Sequence, residues 1–506
     1  MRASSNGAAM PGNPFTALLR HQAVRSVLTY GGTNAFARAI GGIITLLYAF
    51  KLSPTELGVF AVFMSLVGLA DVLADLGVSH AIVRRYFDQD TAEGGARAYL
   101  SRVVFTARLL ALATFAVVGV VLLLGWDALV SGKVPLWPFL PLVLVLAYVY
   151  RSSKLFDAVV RTLDHPRKFA VYRIVQVIAL AALSGVLVFW LEMGILGAVL
   201  ANVLSAIIGA VFRGVSIAGL LPQRVGRLPR GEIGQLLAYG VPLIPRELAD
   251  WGRTLALRLI VANFLPMAQV GLLFLAASII APLGLLITSF EMWFNPVYMR
   301  MRTRMAGGGE SLLRRLRLIR QMLLAAITPC YLAAILFLPP VVELILPDRY
   351  ADTLPLLAPY LLASYIALLG QFQARQLLFL KRTATISMIS VTTMVLMLAA
   401  APFLILAFGL VGVAWGAPVV NIVGLLLFWR AVSKSEPNEL TARDAVLGIA
   451  LMAVPAIYEL LHGAHVQGAL DVALRCAYLV FSVGLIVGLW LWPNRTLLAR
   501  RFWKEV

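Results

Sequence analysis

Apolar residues in this chain fall into runs long enough to cross a bilayer, rather than into strand alternation or the one-sided stripe of a soluble helix. Such runs cover 30–50, 57–78, 103–125, 136–156, 169–191 and 195–220, then 235–265, 270–294, 316–338, 354–380, 386–408 and 411–430, and finally 445–461 and 472–492. Hydrocarbon offers a peptide group no hydrogen-bond partner, so each run is expected to be a helix that satisfies its own backbone. A membrane barrel would need short segments alternating in hydrophobicity, and none is present. The pattern predicts an all-α polytopic membrane protein with about 14 transmembrane helices.

Composition and charge sharpen this. Of 506 residues, 61% are apolar and 13% charged, where a soluble domain carries about a quarter of its residues charged; a soluble enzyme is excluded. The net charge of +19 would suit nucleic acid if the basic residues clustered, but they flank the apolar runs, and no nucleic-acid partner is expected. Connectors from even to odd runs are rich in Arg and Lys, among them Arg84, Arg85, Lys154, Arg161, Arg173, Arg302, Arg320 and Arg382. Connectors from odd to even runs are short and carry little beyond Lys51, Lys133 and Arg349. The positive-inside rule then places both termini in the cytoplasm. Residues 1–29 are expected to be a cytoplasmic segment without the apolar stretch of a signal peptide, 221–234 a cytoplasmic connector and 493–506 a cytoplasmic tail. Short outer connectors leave little room for a catalytic domain there.

Charges inside the runs carry the functional information, because an ionised group at membrane depth needs a partner or a wet cavity. Arg38 lies well inside the first run, and Asp71 and Asp75 lie one turn apart in the second, at a depth where Arg38 could pair with Asp71. The seventh run reads Val241-Pro242-Leu243-Ile244-Pro245-Arg246-Glu247-Leu248-Ala249-Asp250-Trp251-Gly252-Arg253, and continues to Arg258. Arg246, Asp250 and Arg253 share one helical face, with Glu247 and Arg258 on an adjacent one. Two prolines predict a kinked or broken helix, which is tolerated at depth only beside protein or a cavity. Arg38, Arg246, Arg253 and Arg258 are therefore candidate ligands for an anionic group, since guanidinium forks suit pyrophosphate and carboxylate. Asp71, Asp75, Glu247 and Asp250 are candidates for ion coupling or for pairing within the cavity.

Other features are weaker. Tyr30-Gly31 and Tyr239-Gly240, with Glu56-Leu57-Gly58 and Gln269-Val270-Gly271, suggest a repeat of six helices about an axis along the membrane normal. The basic and apolar mixture from Arg300 to Leu318 suits either an amphipathic helix on anionic phospholipids or a charge cluster that fixes topology. Glu291 is expected at the interface, and Gln371, Gln373 and Arg375 at a snorkelling helix end. The chain has no phosphate-binding loop and no His-Glu-x-x-His zinc pattern. Cys330, Cys476, His462 and His465 are too few for a metal cluster or a disulfide framework, so neither metal nor cofactor is expected.

Several stretches together resemble the polysaccharide flippase family of the multidrug, oligosaccharidyl-lipid and polysaccharide exporter superfamily. They are Leu52-Ser53-Pro54-Thr55-Glu56-Leu57-Gly58-Val59-Phe60, Leu76-Gly77-Val78-Ser79, the run from Leu236 to Pro245, Val270-Gly271-Leu272, and Ile345-Leu346-Pro347-Asp348-Arg349-Tyr350-Ala351. The resemblance implies two six-helix lobes, 30–220 and 235–430, around a central cavity, with two further C-terminal helices in 431–492. It also implies that a polyprenyl-pyrophosphate-linked oligosaccharide is moved across a bacterial inner membrane by alternating access, with polysaccharide assembly proteins as expected partners, while Asp71 and Asp75 are the candidates for H+ or Na+ coupling. Many members carry an Asp-Arg pair late in the seventh span, where this chain has Leu257-Arg258, so only the arginine's role carries over. The alternatives are a cation-coupled multidrug exporter of the same superfamily, which would favour an acid-rich cavity, and a membrane glycan polymerase or ligase, which would need a long outer loop.

Overall fold

The computed structural model describes residues 22–79, 95–163, 165–219, 227–304, 309–463 and 468–492. Arg84, Arg85, Arg224, His465 and the two terminal segments expected in the cytoplasm lie wholly or mostly outside the described residues, as do the side chains of Arg246, Asp250 and Glu291. The described elements are helical. The first six are α1 (Gln22–Lys51), α2 (Pro54–Asp75), α3 (Gly95–Val130), α4 (Leu136–Thr162), α5 (Pro166–Ser184, continued by a π-helical turn over Gly185–Trp190) and α6 (Gly194–Ala218). Next come α7 (230–264), α8 (Met267–Arg304), α9 (Gly309–Ile345), α10 (Leu354–Phe379), α11 (383–408), α12 (410–433), α13 (Ala442–His462) and α14 (Ala469–Ile486).

Twelve helices among the described residues are long and apolar enough to cross a membrane, against fourteen apolar runs, for two local reasons. First, α11 and α12 form one continuous stretch, Thr383–Ser433, reversed at Gly409, whose φ of 63° suits glycine. Gly416 lies against Leu404 and Met397, and Gly424 against Thr393, so the two halves are antiparallel. Second, α7 is not one helix. It runs Arg230–Gly240, a 3₁₀ turn at Val241–Leu243, Ile244–Trp251, a π-helical turn at Gly252–Ala256, and Leu257–Phe264. Pro242 and Pro245 each lack an amide donor, which breaks the ladder where the sequence predicts.

The odd-to-even connectors are short. α1 and α2 are joined by Leu52 and Ser53 alone, and Ser53 forms a capping box with Glu56 just before α2. The longest connector on this face, 346–353, contains a 3₁₀ turn at Asp348–Thr353. Here Lys51 bonds Glu192 at 2.5 Å and holds that exposed carboxyl below the usual carboxylate range, first through the hydrogen bond and then through its charge.

The two six-helix halves meet along α2, α7, α8 and α1. At the start of α2 and α8 the backbones touch. A Cβ on Gly58 would lie 1.9 Å from the Met267 carbonyl oxygen, and one on Gly271 would lie 2.0 Å from that of Pro54. Gly58 and Gly271 are 213 residues apart, as are Pro54 and Met267, so the contact is reciprocal, as expected at a two-fold axis. The repeat suggested by Glu56-Leu57-Gly58 and Gln269-Val270-Gly271 is thus seen as a crossing point. On the opposite face Gly77, with φ of 68°, abuts Gly240, and between the two the Trp251 indole donates to the Ser65 carbonyl at 3.0 Å.

α13 and α14 are fastened to the second half by buried charge. Glu439, in the α12–α13 connector, bonds Arg302 of α8 at 2.5 Å, Arg320 of α9, and the Tyr298 hydroxyl at 2.7 Å. Farther along, Arg475 of α14 reaches Glu459, Asp471 and the Leu336 carbonyl of α9. Two sequence expectations change here. The basic stretch before the ninth run divides between the end of α8, which carries Arg302, and the start of α9, which continues to Arg320, and both of these arginines turn inward rather than lying on a membrane surface. Gln373 and Arg375 are buried beneath the α12–α13 connector, not snorkelling. The physical reason is Glu439: a buried carboxylate draws in whatever cations its neighbours carry.

The crossing point makes a prediction. Gly58→Ala places a methyl group inside a backbone carbonyl's radius, and overpacking of this kind costs about 1–3 kcal/mol. A lowered melting temperature of the detergent-solubilised protein is expected, whereas Gly214→Ala, whose Cβ meets nothing within 4 Å, should leave it unchanged or raise it.

Candidate functional site

The polar interior of the first half is organised by α4. Its apolar run ends near 156, but the helix continues to Thr162 and carries Arg151, Lys154, Asp157 and Arg161 along it at intervals of three or four residues. Residues so spaced lie on neighbouring positions of one helical side. Arg151 is buried; it donates to the carbonyls of Ala74 at 2.8 Å and Ala107 at 3.1 Å, with Asp75 at 4.0 Å from its Nε. Asp75 also accepts from Ser79 at 2.7 Å. Lys154 bonds Asp71 at 2.5 Å, so the partner of Asp71 is Lys154 and not Arg38. Glu247 of α7 lies within electrostatic range of Lys154, which sets one cation between an acid of each half.

One turn onward, Asp157 is surrounded. It accepts from the Tyr172 hydroxyl at 2.6 Å and faces Arg173 at 3.5 Å and Arg213 at 3.7 Å. Arg213, fully buried, donates to Ser153 and to Gln176 and stacks over the Tyr172 ring at 4.5 Å. Beside this knot opens a cavity of about 330 Å³ between α1, α4 and α5, lined by Asn34, Arg38, Asp157, Arg161, Arg173 and Gln176 among others. Arg38 and Arg161 are exposed, and Arg173 is partly so. Arg38 makes no ion pair among the described residues. The lining thus offers three guanidinium groups against one carboxylate, which Arg173 of the lining and the buried Arg213 behind it already contact.

The remaining site expectations fall elsewhere. Arg258 is half-buried, stacked over the Phe274 ring at 4.8 Å with Tyr360 nearby, wedged between α7, α8 and α10. Arg253 is exposed within the π-helical turn of α7. Neither lines the cavity that holds Arg38, whose other cations come from α4 and α5.

The family model described as "Polysaccharide biosynthesis protein" matches residues 50–355, more than half of the chain. The chain belongs to that family. No curated protein matches it. Among solved structures it is similar to the lipid II flippase MurJ in its inward closed conformation, with 15% identity, a TM-score of 0.67, and coverage of 93% of this chain and 99% of that one. It is also similar to a multidrug resistance MATE family transporter of the MOP superfamily, inward-facing (16% identity, TM-score 0.58, 80% and 96% covered) and outward-facing (16%, 0.55, 85% and 100%). At such identities the likeness is one of fold: two six-helix lobes and, here, two additional helices.

In this polysaccharide-biosynthesis family member the α4 row was open to discovery from the sequence. Arg151, Lys154, Asp157 and Arg161 recur at helical spacing, yet they straddle the end of the 136–156 run so closely that they read as connector charges. The knot around Asp157 makes a prediction. Replacing Arg213 by Met strips a buried carboxylate of a cation and Ser153 and Gln176 of their donor, a loss on the order of 3 kcal/mol. Thermal unfolding in detergent should show it clearly, while Lys51→Ala, at an exposed pair, should leave the transition in place.

Proposed function

We propose that this protein moves a polyprenyl-pyrophosphate-linked oligosaccharide across a bacterial inner membrane for surface polysaccharide assembly, with the even-to-odd face in the cytoplasm. The observation that carries the reading is the Arg38, Arg161 and Arg173 cavity. Three guanidinium groups facing partly wet space suit a pyrophosphate, which each can grip with two parallel hydrogen bonds. The volume falls in the range of small-ligand pockets, enough for the charged headgroup while the polyprenyl tail stays in lipid. The lobes 30–220 and 235–430 would rock about the α2–α8 crossing to exchange access, with 431–492 carried by the second lobe. Arg246 and Arg253 of the broken α7 would meet the headgroup from the other side as the lobes move. Family membership and the transporter fold support a carrier rather than an enzyme. A glycan polymerase or ligase would need a long loop on the odd-to-even face, where the longest connector is 346–353.

Ion coupling, with H+ or Na+, falls in this reading on Asp71, Lys154 and Glu247. One cation between two acids from different lobes can favour either partner, and one Asp71 oxygen is buried without a hydrogen bond. The multidrug exporter reading is less well supported: cationic drugs favour an acid-lined cavity, and Asp157 is already held by Arg173 and Arg213.

Two outcomes test this. Arg38→Ala combined with Arg173→Ala should lower surface polysaccharide about tenfold or more in a host lacking its own copy, since each lost charged hydrogen bond is worth about 1.5–3 kcal/mol. Normal polysaccharide with normal protein levels would remove the cavity from the mechanism. For Asp71→Asn, transport of a pyrophosphate-linked lipid in proteoliposomes should lose its dependence on an imposed ion gradient; a retained dependence would clear Asp71 of coupling.

A further inference from the structure

Three cations, Lys51, Lys133 and Arg349, stand on or beside the described odd-to-even connectors, and two of them cross from one lobe to the other. Lys133, in the α3–α4 connector, donates to the carbonyls of Ala262 at 2.6 Å and Leu265 at 3.1 Å, at the end of α7. Arg349, in the α9–α10 connector, donates to the carbonyls of Ala49 at 3.0 Å and Phe50 at 2.8 Å, at the end of α1, and the neighbouring Tyr350 hydroxyl donates to that of Leu52 at 2.9 Å. The last carbonyls of a helix lack intrahelical partners and carry the negative end of its dipole, so a cation is the favoured cap.

The two contacts are copies of each other. Ala49 and Ala262 are 213 residues apart, as are Leu52 and Leu265, the same interval that relates Gly58 to Gly271. Lys133 and Arg349 are 216 apart. The equivalent carbonyls of Ala49 and Ala262, on the leading helix of each lobe, are thus each capped by a cation from an equivalent connector of the opposite lobe, while those of Leu52 and Leu265 are bonded by the Tyr350 hydroxyl and by Lys133 respectively. Local structure supports the aim of each cation. Ser131 and Gly132 both adopt left-handed conformations, with φ of 51° and 67°, turning the chain toward α7, where Ser131 also bonds Asn263. Arg349 sits in the 3₁₀ turn of the 346–353 connector.

We propose that Lys133 and Arg349 form a symmetric pair of clasps that holds the odd-to-even face shut, and that both must release for this face to open. The lobes cannot part there without uncapping both helix ends at once, because each clasp belongs to one lobe and grips the other. Lys51 is the internal contrast, since its partner Glu192 lies in the same lobe. The inference does not depend on the cargo, so it is tested without one.

The test is a spin-label distance measurement on the full chain in lipid nanodiscs, in a background carrying Cys330→Ser and Cys476→Ser. One label pair, Thr55→Cys with Asp352→Cys, spans the Arg349 clasp; a second, Leu136→Cys with Phe264→Cys, spans the Lys133 clasp. These four positions are exposed. Lys133→Ala with Arg349→Ala should raise the ratio of separated to closed populations for both pairs by about tenfold or more, each single variant should give a smaller shift in the same direction, and Lys51→Ala should match the parent. An unchanged distance distribution in the double variant overturns the proposal, and so does an equal shift in Lys51→Ala. If the double variant does not fold, the single variants decide, and no shift in either overturns it.

Discussion

A charge or a carbonyl that loses water inside a membrane protein must find its replacement within the chain, and this constraint organises the structure. Arg151 satisfies backbone carbonyls of two other helices, Asp157 gathers a hydroxyl and two guanidinium groups, and Glu439 gathers two more. Each knot joins elements far apart in sequence, so the polar residues fix which helices are neighbours while the apolar ones fill the space between them. Large apolar side chains face outward on α3, α5, α11 and α14, toward the lipid tails, where they do nothing to choose a neighbour.

This division explains what could be read in advance. Hydropathy over twenty or more residues is a long-range average, so the fourteen runs, the prolines of α7 and the shortness of the odd-to-even connectors were all legible. Pairing is not an average. Asp71 could be placed at a depth, yet its partner depended on how α4 rotates against α2, and Lys154, not Arg38, faces it. Arg258 was set among ligand residues because of its type and position, but its guanidinium covers an aromatic ring. A helical wheel drawn through residue 162 instead of 156 would have exposed the α4 row.

The cavity follows from the same geometry. α4 and α5 bring Arg161 and Arg173 to a place where α1 contributes Arg38, and Asp157 balances only part of that charge. Excess positive charge facing open space is costly unless an anion arrives, and that imbalance is what the proposed pyrophosphate reading rests on. The second lobe contributes a segmented α7, whose interrupted hydrogen-bond ladder sits along α2 at the lobe boundary.

The hairpin of α11 and α12 has a mechanical consequence. With only Gly409 between them, and with Gly416 and Gly424 pressed against the returning helix, the pair has no slack and must travel as one lever. Bending within the second lobe then falls more easily on α7, where turns of three different helical pitches already follow one another, so the pliable member of the lobe is the one that lies along its border with the first.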